Sequence, residues 1–201
     1  MPAPVIDGQR LEAVRLTEKF GDKVAIKDKL GELYVCVAPA DLVAVCMYLK
    51  TDAEMEYTYF VECVGVDYSA WTHERDLPGR FEVVYNLFST KYNSRLFVKT
   101  SVDDGASLPT LQPVWAGAEY PEREIQDLYG VIFEGNGPRT GERFLLPDDW
   151  IGYPLRKEYP LGGEDVVFHT GTTGPAIEDL QRPHAGESFE GKTGSEDFGG
   201  R

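Results

Sequence analysis

Cysteine, histidine, basic residues and long apolar runs are all scarce in this chain, and each shortage removes a class of function. The three cysteines, Cys36, Cys46 and Cys63, lie far apart and none belongs to a CxxC pair. An iron–sulfur cluster ordinarily takes four thiolates, so the chain does not hold one alone. Each cysteine sits among apolar residues, where a buried, reduced thiol is the ordinary outcome. The three histidines, His73, His169 and His184, form no HExxH and neighbour no recognisable nucleophile motif. No GxxxxGKS or GxxxxGKT phosphate loop is present, and the glycines of "GNGPRTG" (135–141) follow no clear strand–helix junction. The first thirty residues lack the apolar core of a signal peptide, and no apolar run approaches the length that crosses a bilayer. Membrane association is therefore expected only through partners. Lys and Arg number 20 against 34 acids, a formal charge of −14. With no local basic patch, that surface repels a phosphate backbone, and nucleic acid is not an expected partner. The balance suits a cytoplasmic protein, or one that meets basic partner surfaces.

What is present is enough to build a core. Of the 201 residues, 42% are apolar and 12% aromatic, which is ordinary for one globular domain with extensions. A helical pattern runs from Gly8 to Phe20, with Leu11, Val14 and Leu16 apolar, and stops at a polar turn around Gly21-Asp22. "ELYVCVAP" (32–39) alternates as a strand, and Pro39 and Asp41 open a helix in which Leu42, Val45, Cys46 and Leu49 recur at helical spacing. "EYTYFVECVGVDY" (56–68) is β-rich. After a polar turn containing Pro78-Gly79, residues 80–90 and 94–102 read as a hairpin closed by Lys91-Tyr92-Asn93. Strand 80–90 carries apolar groups on both faces, which predicts a central place in the sheet. A further helix is seeded at Pro121. Strand, helix, then three strands predict an α+β fold, a mainly antiparallel sheet with helices packed on one face. The expected organisation is a core over 1–134, a proline-rich docking segment over 135–161, and a tail over 162–201. That tail holds nine glycines and eight acids against three Lys or Arg. It cannot bury enough surface to order itself, and is expected to be disordered or extended over partners.

Charge concentrates in two places. In "YPEREIQDLYG" (120–130), Arg123 and Asp127 are four apart on a helix, and Glu124 and Asp127 three apart. Such a set reads either as a general acid–base group or as a salt-bridged helix face. Trp115, Tyr120, Tyr129 and Phe133 bracket it, and charges among aromatics tend to be buried and paired. If no group within the chain satisfies Glu122 or Arg123, a partner should. In "PDDWIGYPLRKEYPL" (147–161), Asp148 or Asp149 is placed to cap a turn. Trp150 and Tyr153 offer apolar area with one polar end, and Arg156 offers a forked donor that Lys157 does not. Pro147, Pro154 and Pro160 are expected to hold the segment extended, which lowers the entropy lost on docking. Aromatic and arginine anchors on a stiff segment are typical of binding hot spots.

These stretches, with "GVDY" and "FEVVYNLFS", resemble one family: the 30-kilodalton or C-type subunit of respiratory complex I, the proton-pumping NADH:quinone oxidoreductase. The resemblance spans about residues 30 to 161. It rests on E-R-E-x-x-D-x-x-G-x-x-F, here Glu122, Arg123, Glu124, Asp127, Gly130 and Phe133, and on P-D-D-W-x-G-x-P-L-R-K, here Pro147 to Lys157. One loop departs from the family's G-H-P-D-L-R-R, with Asn136 where histidine is expected. The resemblance implies a cofactor-free part of the hydrophilic arm at the cytoplasmic side of a cell membrane, with FMN, iron–sulfur clusters and quinone held by partner subunits. It implies docking against the hydrogenase-like D-type subunit and a B-type neighbour. The interface would be formed by Glu122, Arg123, Glu124, Asp127, Asp148, Asp149, Trp150, Tyr153, Arg156 and Lys157. The alternatives are the equivalent part of a membrane-bound hydrogenase or of a ferredoxin- or F420-dependent quinone reductase. From another class stands a free-standing hydrolase using Glu122, Glu124 or Asp127.

Overall fold

The computed structural model describes residues 5–6, 8–136 and 142–159. The chain order is β1 (Val5–Ile6), β2 (Gln9–Arg10), α1 (Leu11–Phe20), β3 (Val24–Lys29), β4 (Glu32–Val37), α2 (Pro39–Thr51), β5 (Tyr59–Asp67), β6 (Phe81–Ser89), β7 (Ser94–Val102), β8 (Ser107–Pro109), α3 (Glu119–Tyr129) and β9 (Ile132–Glu134). The fold is α+β, as expected. Five strands form one sheet in the order β3-β4-β7-β6-β5, antiparallel except for the β4–β7 pair.

Alternation along the strands decides which face the helices cover. Leu33, Val35 and Val37 of β4, Leu96 and Val98 of β7, and Val83, Tyr85 and Leu87 of β6 point to one face and are all buried. Leu42, Val45, Cys46 and Leu49 of α2, Leu11 and Leu16 of α1 and Ile125 of α3 join them in a single core. The three thiols are free and buried, and burial pushes those of Cys46 and Cys63 well above the usual thiol range. On the opposite face Tyr34 and Phe97 stack at 5.1 Å, and Lys99 reaches Glu82 at 2.8 Å.

Several expectations are corrected in detail. The first helix starts at Leu11, not Gly8, because Gly8 sits at φ +80° in the turn between β1 and β2. Strand β6 is interior, with a neighbour on each side, but β7 holds the middle of the sheet. Strand β3 is an addition to the expected elements. It pairs with β4 through a two-residue loop, Leu30-Gly31, in which both residues take positive φ, as tight hairpins require. A buried polar cluster is a second addition. Glu12 accepts bonds from Arg10 (3.0 Å), Tyr57 (2.6 Å) and Ser94 (3.1 Å), which ties the start of α1 to β7. No helix among the described residues is long and apolar enough to cross a membrane.

Candidate docking site around helix α3 and the C-terminal segment

Helix α3 is entered through a 3-10 turn, Ala116–Ala118, and carries Pro121 in its first turn, where a missing N–H costs nothing. It ends at Gly130, in the left-handed region at φ +76°, whose N–H caps the Gln126 carbonyl at 2.9 Å. Ile125 and Tyr129 lie over Gly65 of β5, and a side chain there would meet both. Close packing on the sheet fixes which way each charge of the E-R-E-x-x-D run points.

Glu122 points inward and is 0% exposed. Its Oε1 accepts the Leu111 N–H at 2.9 Å and the Tyr85 hydroxyl at 3.3 Å. Its Oε2 accepts the Thr110 hydroxyl and the Asn136 amide, the latter at 2.8 Å. Burial raises this carboxyl above its ordinary value despite those four donors. Asn136 also donates to the Glu119 carbonyl at 3.0 Å, so the residue at the divergent loop position is part of the clamp. The groups that satisfy Glu122 are therefore within the chain, and its carboxylate faces the interior, not a partner.

Asp127 is likewise turned inward. It accepts the N–H groups of Leu145 and Leu146, both at 2.8 Å, and Arg143 at 3.1 Å. The helical Arg123–Asp127 pair suggested by the spacing is not formed. Arg123 instead lies 4.8 Å over the Phe144 ring, which stacks on Tyr120, and makes no ion pair among the described residues. Glu124 is exposed.

Residues 142–159 run back over the core as a strap of turns and bends, not as the extended stretch its prolines suggested. Arg156 donates Nε to the Tyr129 carbonyl at 2.7 Å and forks onto Asp104 at 2.8 and 2.9 Å. Asp67 accepts the Lys157 N–H at 3.0 Å and Arg80 at 3.0 and 3.2 Å. Leu155 donates to the Leu128 carbonyl. Trp150 stacks on Tyr159, and Tyr153 lies against Arg156 and Arg143. Asp148 and Asp149 are exposed and cap nothing among the described residues, while Leu145, Ile151 and Leu155 stand out into solvent. The compact unit ends at Tyr159, and the expected tail over 162–201 lies outside the described residues. Of the ten expected interface residues, Glu122 and Asp127 act inside the chain. Arg156 and Tyr153 hold the strap, and Arg123, Glu124, Asp148, Asp149, Trp150 and Lys157 lie at or near the surface.

The strap's anchors have a pH signature. Burial alone would raise Asp127 and Asp67. The N–H groups of Leu146 and Leu145 with Arg143, and Arg80 with the N–H groups of Lys157 and Ser69, outweigh it and hold both carboxyls below the usual range. A depressed folded value gives stability that is present above the unfolded value, roughly 4, and lost as pH falls through the folded one. Amide exchange at Leu145, Leu146 and Lys157 should therefore be slow and flat at neutral pH, after correction for intrinsic rates. Their protection should fall in acid before that of β6 and β7. Equal acid sensitivity of strap and sheet would refute this.

Among solved structures, this α+β architecture is similar to that of two chains, one of them from a respiratory membrane complex. It matches a trypsin-resistant fragment (1-134) of Nqo5 with a TM-score of 0.55 and 31% identity, covering 64% of this chain and 100% of that one. It also matches a chain of the membrane-bound sulfane sulfur reductase, an archaeal respiratory membrane complex, with a TM-score of 0.57 and 26% identity, covering 74% and 84%. Residues 35–165 match the family described as respiratory-chain NADH dehydrogenase, 30 Kd subunit, and the chain belongs to that family. Relatives named as the C subunit of NADH-quinone oxidoreductase include those of Roseiflexus sp. (strain RS-1), 42% identical over 69% of this chain and 75% of the relative, and of Geobacter metallireducens, 41% identical over 75% and 88%.

Proposed function

We propose that this chain is a cofactor-free scaffold of the hydrophilic arm of an NADH:quinone oxidoreductase. In this reading it holds the hydrogenase-like D-type subunit and a B-type neighbour in fixed relation, on the cytoplasmic side of the membrane. The observation that carries the reading is the division of labour in its two signature stretches. Of their buried acids, Glu122 ties the helix to the core and Asp127 ties it to the strap. Their outward groups, Arg123 on its aromatic shelf and Asp148, Asp149, Ile151 and Lys157 on the strap, are left for a partner. A rigid surface with Arg and aromatic anchors loses little entropy on docking. Electron carriers in neighbouring subunits need fixed separations, and this chain would supply them geometrically, with FMN, clusters and quinone all bound elsewhere. Relatives at about 40% identity carry the NADH-quinone oxidoreductase name, which favours that enzyme over a hydrogenase-type or ferredoxin-fed relative. The acids of α3 give no support to a hydrolase, since two of them are buried and saturated with donors.

The test is a mild-detergent pull-down from membranes of the native host through a tag on this chain. An assembly with flavin and iron–sulfur absorbance that oxidises NADH is expected. A cluster-bearing assembly blind to NADH would move the chain to a sister complex. Arg123→Ala should lower the yield of that assembly by about tenfold, equivalent to about 1.4 kcal/mol of interface energy, while leaving the purified chain folded. Undiminished yield would remove Arg123 from the interface.

A further inference from the structure

The two edges of the sheet are built differently. Strand β3, Val24–Lys29, closes one edge and carries Lys27, Asp28 and Lys29, charges of the kind that keep an edge from pairing with another chain. Strand β5, Tyr59–Asp67, closes the other and is nine residues long, with no lysine, arginine or proline. Tyr59, Val61 and Val64 are 57%, 40% and 46% exposed. Its one pairing partner is β6, and among the described residues no backbone–backbone bond from outside that pair reaches it; the Ser69 and Lys157 N–H groups meet only the Asp67 side chain at its end. Its only irregularity is a register shift between Phe60 and Glu62. Glu62 is exposed and has no ion pair among the described residues.

We propose that β5 is completed by an extended strand of a partner subunit, apolar at alternate positions and carrying a lysine or arginine that meets Glu62. Main-chain bonds along an open edge supply affinity, and alternate side chains supply register. The apolar side chains offer the new strand cross-strand pairs, and the unpaired carboxylate selects a basic residue opposite it. This rests on the reading of the chain as one member of a larger assembly. A nine-residue edge strand with no lysine, arginine or proline to block pairing is a liability for a free-standing protein and an asset for one that is always covered.

The test compares amide hydrogen exchange along β5 in the purified full chain and in the complex recovered from native membranes. In the chain alone, the β5 amides that do not face β6 should exchange freely, and in the complex they should slow by about a hundredfold. Recovery of the complex with those amides still unprotected would overturn the edge pairing while leaving the scaffold reading intact. Failure to recover any complex from the wild type would overturn both. Protection already present in the isolated chain would mean that a second copy or another part of this chain covers the edge, and would equally overturn it. Val64→Lys and Glu62→Lys, both at exposed positions, should each cut the yield of complex by about fivefold with unchanged urea midpoints. Val64→Thr should keep it. Normal yield in both lysine variants would count against the proposal as strongly as absent protection.

Discussion

Glu122→Ala should cost the chain about 3–4 kcal/mol of stability, the largest loss expected of any single side chain in its signature stretches. The reason is the number of groups that depend on one carboxylate. Four donors from three segments of the chain, the Leu111 N–H, the Thr110 and Tyr85 hydroxyls and the Asn136 amide, converge on it in a site with no solvent access. Each buried donor left without an acceptor costs about 1–3 kcal/mol. The sum is partly offset because the variant no longer desolvates a carboxyl. That same desolvation raises Glu122 in the fold, so its contribution is fullest below its unfolded value and erodes as pH rises through the folded one. Glu122→Gln keeps one acceptor oxygen but turns an NH2 group toward donors, and should cost less, about 1–2 kcal/mol. Urea unfolding of the full chain measures both. An alanine variant within about 1 kcal/mol of wild type would mean that the convergence of donors contributes little.

That Glu122 is a structural clamp was not legible from its spacing. On a helix, residues 122, 123 and 124 step around the axis by about 100° each. Periodicity shows that they diverge, not which one meets the core. The packing decides it: Ile125, three residues on, lies over Gly65, and Glu122 shares that side. Asp127 was harder still, because its partner Arg143 is 16 residues away in a stretch without periodicity. The four-residue rule draws Arg123 toward Asp127, yet its guanidinium rests on Phe144, a ring brought in by the strap. Regular elements were easier. Strand β7 and α2 announce themselves through alternation and helical spacing, and β6 through a run that is apolar on both faces, as an interior strand requires. Strand β3, "VAIKDK", reads as polar because it is an edge strand with its charges in solvent. The parallel β4–β7 pairing brings together segments some sixty residues apart, and no local pattern encodes that. Residue types in the two signatures thus marked the site, while tertiary contacts set which way each one faces.

Gly130→Val should release the strap and leave the sheet intact. Gly130 sits at φ +76°, where a β-branched residue is strained by about 1–3 kcal/mol before any contact is considered. A Cβ there would lie 2.5 Å from the Tyr153 ring and 2.8 Å from Arg156 Nη2, well inside contact distance. Relief requires Tyr153 and Arg156 to move. Moving Arg156 breaks its bond to the Tyr129 carbonyl and its fork onto Asp104. The expected readout is amide exchange at Leu145, Leu146, Leu155 and Lys157, whose N–H groups bond to Asp127, the Leu128 carbonyl and Asp67. It should speed up at least about tenfold, with β6 and β7 amides little changed. Gly117→Ala is the control, since a Cβ there makes only an ordinary 3.5 Å contact with Phe60. Unaltered exchange at all four strap amides in the valine variant would show that the strap accommodates the side chain, and that its seat on α3 is softer than the geometry implies. If the strap is released as expected, Asp148, Asp149 and Ile151 lose their fixed places. The yield of assembled complex should then fall even though the core that carries Arg123 remains folded.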